Sequence, residues 1–344
     1  MMSDDDGPSR GRFDEVRWGI IGCGDVCEVK SGPALYRTPK SRLVAVMRRD
    51  AAKAEDFARR HGVASWYDKA DELIADPDVN AVYVATPPGS HADYALRVAA
   101  AGKACYLEKP MARTHGECRQ IIEAFASRRL PLYVAFYRRG MARFHKAREL
   151  IAAGEIGAIS GTSYCLTQPA HRRASPGWRV NLPDSGAGLF LDLGSHTLDI
   201  LDFLLGPLSE VAGVARNVSG VVPTVEDSVA MSFVAGGAPG VASWNFAAEV
   251  EQDMIQIHGT KGMLSFSTFG HEAVCLTRGN EREEFPYARP AHVHSGLVET
   301  IVSELTGGPA ACPSTGESAA RTSRVMDDVL SSFYGPRDAL FATV

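Results

Sequence analysis

Nothing in the 344-residue sequence approaches the ~18 consecutive apolar residues that a membrane-spanning helix requires, so no membrane partner is expected. The opening residues, MMSDDDGPSRGRFDE, are polar and acidic where a secretory signal is basic and then apolar. They are expected to form a short flexible leader, residues 1–14, on a cytoplasmic protein. Beyond Asp4 to Asp6 there is no block of like charge, and the formal net charge of -5 leaves no basic footprint for nucleic acid. Cysteine is scarce: Cys23, Cys27, Cys105, Cys118, Cys165, Cys275 and Cys312 are scattered and odd in number. That pattern excludes a regular disulfide framework and suits reduced thiols. Cys23 and Cys27 also lack the spacing of a zinc or redox CxxC pair. Repeats and low-complexity segments are absent.

What is present is a globular chain. Hydrophobic residues make up 45% of it, ample for packed cores, and the length fits about two domains. Val16 to Ile21 (VRWGII) has the character of a short strand and runs straight into Gly22-Cys23-Gly24-Asp25-Val26-Cys27, with a helix-permissive segment after it. In a dinucleotide-binding turn the first glycine allows the tight bend and the second lets the backbone approach the pyrophosphate. The third position needs a small residue for packing, and Cys27 fills it here. Gly22, Gly24, Asp25 and Val26 are therefore candidate cofactor residues. The next strand, Leu43 to Met47, ends where such folds carry an acid for the adenosine ribose. Arg48 and Arg49 stand there instead, and Asp50 is expected to cap the helix Ala51 to His61. Two guanidiniums suit a 2'-phosphate, and the alternative is a solvated turn with two surface arginines. NADP(H) is the expected cofactor, with NAD(H) second.

Strands and helices then alternate. Strand Ala81 to Ala85 ends in Thr86-Pro87-Pro88-Gly89-Ser90-His91, strand Ala104 to Leu107 ends in Glu108-Lys109-Pro110, and strand Leu132 to Phe136 closes the series. Helices are expected at Ala70 to Ile74, Ala92 to Ala101 and Thr114 to Ser127. The alternation implies a parallel, doubly wound sheet with ligands at the carboxyl ends of its strands. From about Gly154 the pattern changes to consecutive strands: Ile159 to Thr167, Leu208 to Val218, Asp227 to Val234, Gly240 to Phe246, Asp253 to His258, Met263 to Ser267 and Ala273 to Thr277. Helices Ser295 to Leu305 and Glu317 to Tyr334 follow. The fold class expected is α/β, an N-terminal Rossmann dinucleotide-binding domain (15–138) with a C-terminal α+β domain (139–344) built on a large, mostly antiparallel sheet. His292 and His294 have no third ligand in view, and no metal site is expected.

One stretch has helical spacing but unusual polarity. In Gly186 to Gly206, Asp192, His196 and Asp199 fall on one line with Ser195 and Asp202 at its edge, while leucines, Phe190 and Ile200 cover the rest. A helix apolar around most of its circumference is buried, so the polar line faces either neighbouring protein groups or an active-site cleft.

These motifs together resemble the glucose-fructose oxidoreductase, inositol dehydrogenase and MocA family over about residues 15 to 335. The carriers are the glycine turn, Thr86-Pro87, Glu108-Lys109-Pro110 and Asp192-Leu193-Gly194-Ser195-His196-Thr197-Leu198-Asp199. The chain departs from the family in having Pro88 where Asn is common and Arg48 where an acid is common. The resemblance implies that Lys109, Asp192 and His196 line the substrate site beside the nicotinamide, and that Thr86, Pro87, His91, Glu108 and Lys109 join the cofactor residues. It also implies a sugar, cyclitol or related polyol or carbonyl substrate. Tyr137, Arg138, Arg139, Trp178 and Arg179 are candidate substrate contacts. Histidine, with an ordinary pKa of ~6.5, suits the proton shuttle that accompanies hydride transfer. A lysine cation stabilises a developing alkoxide.

The expected function is thus an NADP(H)-dependent oxidoreductase. Alternatives are a dihydrodiol dehydrogenase-like carbonyl reductase, or a non-catalytic dinucleotide- or sugar-sensing regulator of the same fold. The partners expected are a small carbohydrate-like substrate and a second copy of the chain, in a homodimer or homotetramer. Strands Val229 to Ala235 and Gly240 to Phe246 carry apolar residues on both faces.

Overall fold

A computed structural model of the chain describes residues 11–169 and 177–341. The chain divides into two compact units. The first holds the chain through Ala112 with Glu117–Gly140 and Pro290–Ala319, and the second holds Arg113–Gly116, Met141–Arg289 and the residues from Ala320.

The first unit is a parallel sheet of β1 (Val16–Ile21), β2 (Ser41–Met47), β3 (Ser65–Tyr67), β4 (Ala81–Val84), β5 (Ala104–Leu107) and β6 (Leu132–Val134). Its order, β3-β2-β1-β4-β5-β6, is that of a dinucleotide-binding doubly wound sheet. Short helices α1 (Asp25–Val29) and α2 (Gly32–Arg37) follow β1. Then come α3 (Ala51–His61), α4 (Ala70–Ala75), α5 (His91–Ala100) and α6 (His115–Ala126). Strands β1, β4 and β5 are apolar and almost wholly buried, as strands covered on both faces must be. Asp50 caps α3 by accepting from the Lys53 amide at 3.2 Å, as expected. Strand β3 is an addition to the expected elements: three residues at a sheet edge carry too little pattern to be read.

In the second unit α7 (Ala142–Ala152) leads to β7 (Ile159–Pro169), α8 (Leu182–Ser185), a π-helical turn at Phe190–Gly194 and α9 (Ser195–Leu205). Strands β8 (Ser209–Arg216), β9 (Ser228–Ala235), β10 (Ala238–Ala248), β11 (Gln252–Gly259), β12 (Met263–Phe266), β13 (Val274–Arg278) and β14 (Glu281–Phe285) complete an eight-stranded sheet in the order β14-β13-β12-β11-β7-β10-β9-β8. Every neighbouring pair is antiparallel except β7 with β10. Strand β14, sequence EREEF, is a second addition, because its charges hide any alternation. At the sheet's edge those charges oppose pairing with another chain. The inward face buries Met231, Phe233, Trp244, Phe246, Ile255 and Ile257 against α9 residues such as Leu198 and Leu201. The outward face is more mixed than the sequence suggests: Ala230, Ser232 and Ser243 alternate with Val214, Val241 and Met254, which are 42%, 58% and 37% exposed.

The chain then returns. Helix α10 (Ser295–Leu305) buries Leu297, Val298, Ile301, Val302 and Leu305 in the core of the first unit, with Trp18 and Tyr106. Residues 290–319 thus fold with the dinucleotide-binding sheet, which corrects the expectation that all of 139–344 belongs to the second domain. Helix α11 (Gly316–Tyr334) closes the chain, packing Val325, Met326, Val329 and Leu330 into the second core. Among the described residues no helix is long and apolar enough to cross a membrane.

Candidate active site

The glycine turn after β1 is built as its residue types require. Gly22 has φ +89, and a Cβ there would lie 2.8 Å from Thr86 Cγ2, so glycine alone brings the first turn against the turn that follows β4. The Gly22 and Cys23 amides both donate to Met47 O, at 2.9 and 3.2 Å, tying the turn to the end of β2. A Cβ on Gly24 would meet nothing closer than Gly22 O at 3.9 Å. That open side fits a diphosphate approaching the backbone of Gly24, Asp25 and Val26. Cys27 is fully buried below the turn, and burial pushes its thiol far up, which marks it as a packing residue.

Arg48 is half-buried and extends its guanidinium to Cys23 O at 3.4 Å. Arg49 is exposed. Both therefore stand at the carboxyl end of β2, with Arg48 against the glycine turn.

The Thr86-Pro87 and Glu108-Lys109-Pro110 turns meet at His91. Its Nε2 lies 2.7 Å from Thr86 O and its Nδ1 3.0 Å from Pro110 O, and the ring is fully buried. Burial lowers its pKa from the ordinary histidine value. His91 is expected among the cofactor contacts, whereas the structure makes it the tie between two loops. Glu108 is likewise occupied: Oε1 accepts from Tyr83 Oη at 2.6 Å and Oε2 from the Lys109 amide at 3.0 Å. Lys109, partly exposed, stands at the carboxyl end of β5.

The candidates after β6 divide. Arg139 is 4% exposed and donates to Pro313 O at 3.1 Å, an anchor for the returning segment and a poor fit to the substrate contact expected of it. Tyr137 accepts from Arg138 Nη1 at 2.9 Å and packs its ring 4.8 Å from His294. The two histidines of the returning segment are likewise held by protein groups. His292 contacts Val29 O at 2.7 Å and Arg37 Nη1 at 3.0 Å, and His294 contacts Tyr106 Oη at 2.8 Å.

In the second unit the polar helix is buried as expected, with one correction to its shape. Gly186–Gly188 is a turn, and the helix starts with the π turn at Phe190–Gly194, so Asp192 and His196 are separated by a widened turn. Such turns recur at functional sites. The acids have different partners. Asp202 takes two hydrogen bonds from Arg321, at 2.8 and 2.7 Å, and is structural. Asp192 accepts from Arg179 Nε at 3.0 Å, and that guanidinium lies 4.7 Å over the Trp178 ring. Trp178, Arg179 and Asp192 are thus one cluster. His196 is 5% exposed with its ring edge-on to Phe269, and Asp199 is wholly buried. Residues 170–176, just before this cluster, lie outside the described residues. Among the described residues no group of His, Cys, Asp and Glu could hold a metal.

A parallel sheet in this order, a glycine turn open to a diphosphate and basic groups at strand ends define a dinucleotide-dependent oxidoreductase fold with an appended sheet domain. Residues 16–136 match the model of the oxidoreductase family with an NAD-binding Rossmann fold, and residues 144–265 match the GFO/IDH/MocA C-terminal domain. An oxidoreductase of Formosa agariphila is 36% identical over 322 residues, 91% of this chain and 97% of that one. A 1,5-anhydro-D-fructose reductase of Ensifer adhaerens is 29% identical, over 85% of this chain and 88% of its own. In fold, the chain matches levoglucosan dehydrogenase in complex with NADH and levoglucosan at a TM-score of 0.79 with 23% identity, covering 92% of this chain and 97% of that chain. The protein belongs to the GFO/IDH/MocA oxidoreductase family.

Proposed function

We propose that this oxidoreductase transfers hydride between NADP(H) and a carbon bearing a hydroxyl or carbonyl in a sugar, cyclitol or related polyol. The observation that carries the reading is the sorting of charge along the buried helix: Asp202 is almost wholly buried on two hydrogen bonds from Arg321, whereas Asp192, in the π turn, pairs with the more exposed Arg179, whose guanidinium lies over Trp178, and His196 follows at the start of α9. The nicotinamide supplies the hydride acceptor or donor. In oxidation His196 takes the hydroxyl proton and in reduction it returns it, while Lys109 stabilises the alkoxide oxygen. Asp192, through Arg179, orients a substrate hydroxyl. The reductase and dehydrogenase relatives, named for anhydro-sugar chemistry, support the substrate class, and Arg48 at the glycine turn supports a 2'-phosphate on the cofactor. A homodimer or homotetramer packed through the outward face of the second sheet completes the reading.

The deciding experiment follows reduced-cofactor absorbance with 1,5-anhydro-D-fructose, levoglucosan, inositol and simple aldoses, each against NADPH and NADH or their oxidised forms. Turnover of at least one member with the NADP form supports the reading. No turnover of any member by protein that binds cofactor would overturn it.

A further inference from the structure

A histidine that arrives from far along the chain lies against the turn that carries Lys109. Tyr83 and Tyr106 are direct neighbours on β4 and β5, both fully buried, with rings stacked at 4.9 Å. Tyr83 donates to Glu108 Oε1, and His294 faces both the Tyr106 hydroxyl, 2.8 Å from Nδ1, and Glu108 Oε1, 3.7 Å from Nε2. Glu108 in turn holds the Lys109 amide through its other oxygen. Close backbone packing fixes His294 in this place. A Cβ on Gly296 would lie 2.2 Å from Gly140 O, so the start of α10 is locked against the Tyr137–Gly140 turn.

We propose that His294 is a positioning residue for the Glu108-Lys109 turn: a neutral imidazole, protonated on Nε2, that accepts from Tyr106 and directs its N–H at Glu108. The tautomer follows from the neighbours, since a carboxyl oxygen faces Nε2 and a hydroxyl that can donate faces Nδ1. Burial and the nearby cations oppose a second proton and outweigh the opposite pull of the Glu108 carboxyl. Burial, with Lys30, Lys109 and Arg138 adding to it, holds the imidazole well below its ordinary pKa, at about 3. The remaining titratable neighbours are Tyr83, Tyr106, Tyr137 and Glu108. The imidazole N–H thereby adds a favourable dipole at 3.7 Å to the Tyr83 hydroxyl and the Lys109 amide that hold the Glu108 carboxyl, and through it the backbone from which the Lys109 side chain departs. The role rests on the assignment of Lys109 to the reacting oxygen.

Two measurements test it. The first needs no substrate: nitrogen NMR of the imidazoles should find His294 protonated on Nε2 alone, with no titration between pH 5 and 8. A ring protonated on Nδ1, or one titrating near pH 6.5, overturns the proposal. The second compares His294→Asn, which retains a group at the Nδ1 position only, with His294→Gln, which restores a donor near Nε2. With the sugar turned over in the assay above, His294→Asn should lower kcat roughly tenfold at unchanged cofactor KM, and His294→Gln should recover to within about threefold of the parent. A His294→Asn enzyme with the parent kcat, or a His294→Gln enzyme no better than it at equal thermal stability, overturns the proposal. Lys109→Ala is run beside them. Full activity there sinks the reading of Lys109, whereas its loss with an unaffected His294→Asn sinks only the role of His294.

Discussion

The guanidinium of Arg48 lies 3.4 Å from the carbonyl of Cys23, so the residue that ends β2 is joined to the turn that follows β1. Removing a charge-assisted hydrogen bond to a phosphate costs about 1.5 to 3 kcal/mol. Arg48→Ala should therefore weaken NADPH by about tenfold to a hundredfold and leave NADH nearly unchanged, as read by cofactor fluorescence titration. Equal affinity of the parent protein for the two cofactors removes the basis for the preference.

Lys109→Ala and His196→Ala should each lower turnover by roughly 10² to 10⁴ while NADPH binding survives, because neither side chain is needed to hold the diphosphate. Steady-state kinetics with parallel binding measurements check this. A loss of folded protein in place of turnover would return the helix to a purely structural role.

Asp202→Ala behaves oppositely. It strips Arg321 of a bidentate partner in which the carboxylate is almost wholly buried and the guanidinium 39% exposed. Solvent screening on the arginine side limits the expected destabilisation to about 2 kcal/mol. Turnover per folded molecule should be unchanged. Urea unfolding and a rate assay on one preparation separate the two effects.

Acid should destabilise the protein through His294. Its pKa is about 3 in the fold against ~6.5 unfolded, so between these values the unfolded chain binds the extra proton. Stability is therefore lost as pH falls below about 6.5, by about 2 kcal/mol at pH 5. Asp327 opposes this. Burial raises its carboxyl to about 6, so its contribution is lost as pH rises from about 4 to 6. Only the variant isolates the histidine. His294→Gln should lose less stability than the parent from pH 7 to pH 5 in urea unfolding, and identical losses would contradict the assignment.

Light scattering at micromolar concentration should give the mass of a dimer or tetramer. Val241→Glu, on the outward face of β10 and 58% exposed, should shift it toward the monomer by placing like charges across a two-fold interface. A monomeric parent counts decisively against a face-to-face assembly.

Sequence periodicity alone determined most of the architecture. Alternating apolar strands and helices announced the parallel sheet, and the strand run after residue 154 announced the second one. Local signals sufficed because each is written within a few residues: Asp50 as a cap, the glycine turn, the apolar circumference of α9. Tertiary structure decided what depends on distant partners. Asp192 and Asp202 look alike in sequence, and only the fold distinguishes them, burying Asp202 almost wholly against Arg321 and leaving Asp192 partly exposed beside Arg179. Arg139 and His91 have the look of ligand-binding residues in the sequence, and in the fold the carbonyls of Pro313, Thr86 and Pro110 occupy them. His294 joins Tyr106 across 188 positions, a pairing no local pattern encodes. The folding of 290–319 with the first unit was hidden for the same reason: α10 announces an apolar face in its own sequence, but which core receives that face is a property of the whole fold.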